Sequence, residues 1–201
     1  EKPDTGSVSE HRRWPDLGRV TYAFNYYRQS QSFTDSPSDS SFFPPPLIDS
    51  LKTHDSLVIR RISNIVTWSN PPQHRDSRPR ILQFEGGIRH VYSETEMQGL
   101  KYVFLQYTPF ASVTFTPFPS MQLSGHGEYV LGDYNERDFL LKASHMTILG
   151  SKEKNLGIAR VSISIRSDQP GWFYSHYRGN FFRWDRNLNK TNTLQIGRAQ
   201  V

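Results

Sequence analysis

The sequence holds no cysteine in 201 residues. That absence removes disulfides, thiolate zinc sites, iron–sulfur clusters and cysteine nucleophiles together. Long apolar runs are missing as well. No stretch approaches the ~20 residues of a helical membrane span, and the opening EKPDTGSVSEHRRW has no apolar signal core. A chain that opens on Glu1 instead of Met is expected to be a processed or excised piece. There is no G-x-S-x-G elbow, no phosphate-cradling G-x-x-x-x-G-K and no dinucleotide fingerprint, so no reaction is announced and no enzyme is expected. Helical spacing is scarce too. The one candidate, SETEMQGLK at 93–101, predicts about two turns with Ser93 as N-cap and Glu96 at the capping-box position.

What the chain has in quantity is period-two alternation. In ARVSISIRS, Val161, Ile163 and Ile165 fall on one face and Ser162, Ser164 and Arg166 on the other, the pattern of a half-buried antiparallel strand. RVTYAFNYY places Tyr22, Phe24 and Tyr26 together, and SLVIRRISNIVTW is rich in β-branched residues. LKYVFLQYTPFASVTFTPF reads as a strand, a break at Pro109 and a second strand. With RDFLLKASHMTIL and NTLQIGRAQV this makes roughly eight or nine strand candidates separated by Gly, Pro, Asn and Asp clusters. The predicted fold is all-β: an antiparallel, jelly-roll-like β-sandwich with long Pro/Ser-rich loops and little helix. Two loops stand out, QSFTDSPSDSSFFPPPLIDS at 31–50, where Phe42 and Phe43 precede three prolines, and SNPPQHRDSRPR at 69–80. Residues 1–13 are expected to form a flexible arm and 14–201 a single sandwich domain.

The formal charge of +5 comes from 24 Lys+Arg against 19 Asp+Glu. From Gly157 onward the basic residues are Arg160, Arg166, Arg178, Arg183, Arg186, Lys190 and Arg198, while the acids are Asp168 and Asp185, so the last stretch carries the whole excess. Within it GWFYSHYRGNFFRWDRNLNK, 171–190, reads as an aromatic hairpin turning at Arg178–Asn180 with rings on both faces. A strand with bulky groups on both faces is covered twice. The cover is either a second layer of its own core or a partner, and aromatic residues with arginine are the types enriched where proteins bind. The interface or ligand-binding candidates are Trp172, Tyr174, Tyr177, Arg178, Phe182, Arg183, Trp184 and Arg186, with Phe42 and Phe43 from the proline loop.

Such a surface also suits unpaired bases and phosphates, or the pyranose faces of a glycan. His126 and Glu128 fall on one strand face and could begin a metal site, but His145 is the nearest further histidine and no metal or other cofactor is expected. The texture as a whole resembles the jelly-roll and protruding domains of viral structural proteins. That resemblance implies a non-enzymatic assembly domain of capsid or surface-protein type, homo-oligomeric and virion-located, with a host receptor or glycan as partner. A nucleic-acid- or glycan-binding β module is the alternative, with weak nucleic-acid contact through the basic C-terminal region. A hydrolase built on scattered carboxylates is a second alternative.

Overall fold

The computed structural model describes residues 18–35, 43–70, 81–150 and 155–200. The expected arm, 1–13, and Phe42 lie outside the described residues. The chain is all-β and antiparallel. Its strands are β1 (Arg19–Asp35), β2 (Thr53–Ser69), β3 (Leu82–Met97), β4 (Leu100–Phe118), β5 (Met121–Tyr129), β6 (Phe139–Gly150), β7 (Asn155–Asp168), β8 (His176–Arg178), β9 (Arg183–Asp185) and β10 (Thr191–Gln200). One turn of 3₁₀ helix, Asp133–Asn135, and one of α-helix, α1 (Trp172–Ser175), interrupt them.

Eight strands form one sheet in the order β1-β2-β3-β4-β5-β6-β7-β10, and β8 pairs with β9 in a separate two-stranded sheet. Each long strand lies beside its sequence neighbour, save that β8 and β9 sit within the β7–β10 connection. This is a meander. The crossovers of a jelly roll and the two large facing sheets of a sandwich are not found among the described residues, and the eight-stranded sheet is not closed: β1 and β10 are its edges. One end of the sheet carries the long connections 36–52, 130–138 and 169–190, called here the loop end. The other carries 70–81, 119–120 and 151–154.

Local chemistry explains two departures from expectation. Residues 93–101 are not helical: Met97 pairs with Leu100, and Gln98 (φ 49°) and Gly99 (φ 75°) both take the left-handed conformation of a two-residue hairpin turn. Glycine adopts that geometry at no steric cost, and the flanking Ser93, Thr95 and Met97 alternate as a strand requires. Strand β4 also runs unbroken through Pro109. The proline instead interrupts the ladder on one side, for the register with β5 ends at Phe110↔Glu128 and resumes at Tyr107↔Leu131, leaving the residue without an N–H in the gap.

Residues opposite one another in the ladder share a face, so the register sorts every strand into two sets. Along β4, Val103, Leu105, Tyr107, Pro109, Ala111, Val113 and Phe115 face one way and are exposed; Gln106, Thr108, Ser112 and Thr114 face the other and are half-buried or buried. The apolar side is the open one. On β7 the same holds: Val161, Ile163 and Ile165 are 51%, 42% and 45% exposed. Among the described residues the buried hydrophobic side chains are Met97 and Phe181, so no sandwich core of the usual close-packed kind lies between layers.

Candidate functional site

The large sheet presents two chemically distinct surfaces. The apolar face is continuous across strands: the register aligns Val20, Trp68, Gly86, Ala111, Gly127, Leu141, Ile165 and Leu194 in one row. On β4 apolar residues extend from that row toward the loop end as far as Val103, whereas on β7 Ser167 already follows Ile165 and the apolar run extends the opposite way to Ala159. The band therefore crosses the sheet diagonally. Its loop-end margin is marked by charge, since Tyr26 is followed by Arg28, Tyr92 by Glu94, and Val103 gives way to Lys101. Arg60 pairs there with Glu94 and, at 3.4 Å, with Glu96, while Lys101 lies 3.8 Å from Glu94.

The polar face is the more enclosed. At its centre the Ser112 hydroxyl lies 2.8 Å from His126 Nδ1, His126 Nε2 lies 2.9 Å from Glu128, and Arg89 donates to Glu128 at 3.0 Å. The sequence expectation that His126 and Glu128 share a face holds, but they join a hydroxyl and an arginine. His145 is on the apolar face, opposite Leu123, and bonds Thr147. Toward the loop end a cavity of about 510 Å³ is lined by Arg61, Arg89, Arg166, Gln106, Glu128 and Asp138, among others. Toward the opposite end a second, of about 480 Å³, is lined mainly by Ser and Thr with His126, Lys142 and Gln195. Gly87 belongs to this face for a steric reason: a Cβ there would sit 2.6 Å from the ring of Phe110, its partner on β4.

The 169–190 connection folds onto the loop end of this face. Trp172 packs on Tyr102 and Phe104 with ring centroids 4.6 and 5.8 Å apart. Tyr134 donates to the Pro170 carbonyl at 2.8 Å and its hydroxyl lies 2.7 Å from that of Ser175. Trp172–Ser175 being helical, the strict alternation expected for Trp172, Tyr174 and His176 does not hold, and the hairpin turn falls between Arg178 and Arg183. Tyr177 stacks on Trp184 (4.5 Å), and Phe43 stacks on Phe181 (4.4 Å), which brings the proline loop and the aromatic segment together.

The pivot is Asn180, buried and fully used. Its side-chain oxygen accepts from the N–H groups of Ile48 and Asp49, its amide donates to the Asp49 carbonyl and the Thr53 hydroxyl, and its own N–H donates to Asp55. Burial, aided by the charge of Asp55, pushes the Tyr177 phenol above its ordinary pKa. The N–H groups of Leu51 and Lys52 hold the exposed Asp49 carboxylate below its own. Of the sequence candidates, Trp172, Tyr177 and Trp184 are thus occupied within the chain. Arg178 gives its backbone N–H to the Met97 sulfur and Arg186 its own to the Ser175 carbonyl. Arg183 pairs with Arg178 across the hairpin, and Tyr174 (74% exposed) and Phe182 (51%) face outward. Asn180, Arg61, Arg89 and Lys142 were not singled out by the sequence; the alternation of β2, β3 and β6 was the available signal for the last three.

An all-β meander with an exposed apolar band and a polar, charge-bearing opposite face has a match among known families. Residues 12–200 match the family described as a putative porin. The chain belongs to that family. Neither a curated protein nor a solved structure matches it. Among the described residues of this porin-family chain no helix is long and apolar enough to cross a membrane.

Proposed function

We propose that the chain forms part of the wall of a transmembrane β-barrel, with its apolar face against lipid and its polar face toward an aqueous lumen. It acts as a boundary and passage for small polar solutes, without a reaction of its own. The observation that carries this reading is β4, where apolar residues at every second position from Val103 to Phe115 are exposed while the residues between them, Gln106, Thr108, Ser112 and Thr114 with Phe104 and Phe110, are half-buried or buried. Water would not leave such a face bare, because each large apolar side chain is worth ~1.5–3 kcal/mol on burial. Lipid would. At about 3.4 Å per residue the run spans about 40 Å along the strand, and at a tilt of about 40° it rises about 31 Å, enough to cross the ~25 Å apolar band of a membrane barrel. The diagonal course of the band accords with that tilt.

A sheet in hydrocarbon must also satisfy its backbone internally, which a meander of paired strands does everywhere except at its two edges. The reading therefore requires β1 and β10 to be paired in the membrane. The loop end, which carries 36–52, 130–138 and 169–190 beside the tight Gln98–Gly99 turn, is assigned to the outside of the cell, where outer-membrane barrels carry their longer loops. Refolding the chain with phospholipid vesicles tests the proposal. Membrane-resident chain resistant to alkaline extraction is expected; a stable, monodisperse chain in detergent-free buffer that ignores the vesicles would contradict it.

A further inference from the structure

We infer that the polar face is built to favour anions. This rests on the lumen reading above and deepens it. Between the two rims, the side of the sheet shared with Ser112 and Gln106 carries Arg61, Arg89, Lys142, Arg160 and Arg166 against the carboxylates Glu85, Glu128 and Asp168; the same side bears Arg19 at the opposite rim and Asp35 and Asp55 at the loop-end rim. Two of those carboxylates are committed, Glu128 to Arg89 at 3.0 Å and Asp168 to Arg166. At the rim Asp138 is matched by Lys190 at 2.7 Å.

Arg61, Lys142 and Arg160 remain. Among the described residues none of the three forms an ion pair; the one polar partner of Arg160 is the neutral Met146 sulfur at 3.5 Å. Between the rims, Glu85 is the carboxylate left to balance them. The register sets it on the row Glu85, Ser112, His126, Lys142, three strands from the lysine and so about 14 Å away at the usual strand spacing. That separation exceeds the Debye length of ~8 Å at physiological salt, so a solute beside Lys142 meets the lysine and not the glutamate.

The surroundings of Lys142 complete the site. The cavity of about 480 Å³ that it lines contains Thr114, Ser164 and Gln195, which can donate hydrogen bonds, together with Ser112, bonded to His126, and the mutually bonded Ser124 and Ser144, and no carboxylate. A cation among hydroxyl and amide donors recognises chloride or a small carboxylate, in the way rings of Arg and Lys favour anions in pores.

The absence of native cysteine makes a direct test simple. Ser164→Cys, opposite Lys142 on β7, is reacted in vesicle-reconstituted chain with thiol reagents of equal size bearing one negative or one positive charge, each rate normalised to a free thiol. A unit charge ~6 Å away in water changes a local concentration by roughly threefold, so the anionic reagent is expected to win by roughly tenfold at low salt. The preference should shrink in 1 M salt, invert in Lys142→Glu and fall toward unity in Lys142→Gln, the milder change should the glutamate variant fold badly. Reaction at Ser164→Cys with no preference, or with a preference for the cation, overturns the inference and leaves the lumen reading standing. Failure of Ser164→Cys to react with either reagent, while Ile163→Cys reacts, would remove the lumen reading and the inference with it.

Discussion

At the scale of single residues, the two faces of β4 make opposite demands on adjacent positions. Val113 stands in the exposed apolar band beside Gly125, whereas Thr114 faces Ser124 on the polar side. An arginine within the lipid band of a membrane barrel costs ~2–4 kcal/mol at mid-depth, while lumen substitutions act on selectivity instead. Val113→Arg should therefore lower the free energy of urea unfolding in vesicles by that order, and Thr114→Arg should leave it within about 1 kcal/mol; equal effects would mean the faces are misassigned. Asn180 makes a different prediction. Replacing it with alanine strands the part-buried N–H groups of Ile48 and Asp49 and the buried Thr53 hydroxyl, the last at ~1–3 kcal/mol for a buried unsatisfied group. The loss should be local, seen as faster proteolysis within 43–52 and 169–190 with the strands still protected.

At the scale of elements, the 169–190 connection is fastened to the polar face by Trp172 on Tyr102 and Phe104, and by Asn180 on the start of β2. An element so placed narrows any passage along that face. Trp172→Ala should raise the rate at which a bulky thiol reagent reaches Ser164→Cys in reconstituted chain, and an unchanged rate would show that the connection does not stand in the path. This segment also shows how far the sequence could be read. Its aromatic density was plain, but the partners of its rings, Tyr102 and Phe104 of β4 for Trp172 and Phe43 of the proline loop for Phe181, lie more than fifty residues away and are not revealed locally. The capping box at 93–101 predicts a helix, and the structure has a hairpin there instead, for which Gln98–Gly99 and the alternation of Ser93, Thr95 and Met97 are the overlooked signals. The alternation on β7 gave the strand and the sorting of its residues correctly. It could not say which face was inside, because an apolar stripe against a protein core and one against lipid have the same period.

At the scale of the whole molecule, the described residues form one open sheet with an exposed apolar band, a polar face bearing several cations, and β1 and β10 as its edge strands. A water-soluble sandwich would bury that band against a second sheet, and the described residues contain no such sheet. What touches the band decides between a lipid-facing wall and a water-soluble sheet. A single spin label is introduced in turn at each position from Val103 to Phe115 of vesicle-reconstituted chain, and its accessibility to oxygen is compared with that to a water-soluble nickel chelate. Odd-numbered positions should favour oxygen, most strongly near Pro109, midway along the run, and even-numbered positions should favour the chelate, in strict period two. A run in which both sets favour the chelate, or in which the odd-numbered positions are shielded from both reagents, would contradict a lipid-facing wall.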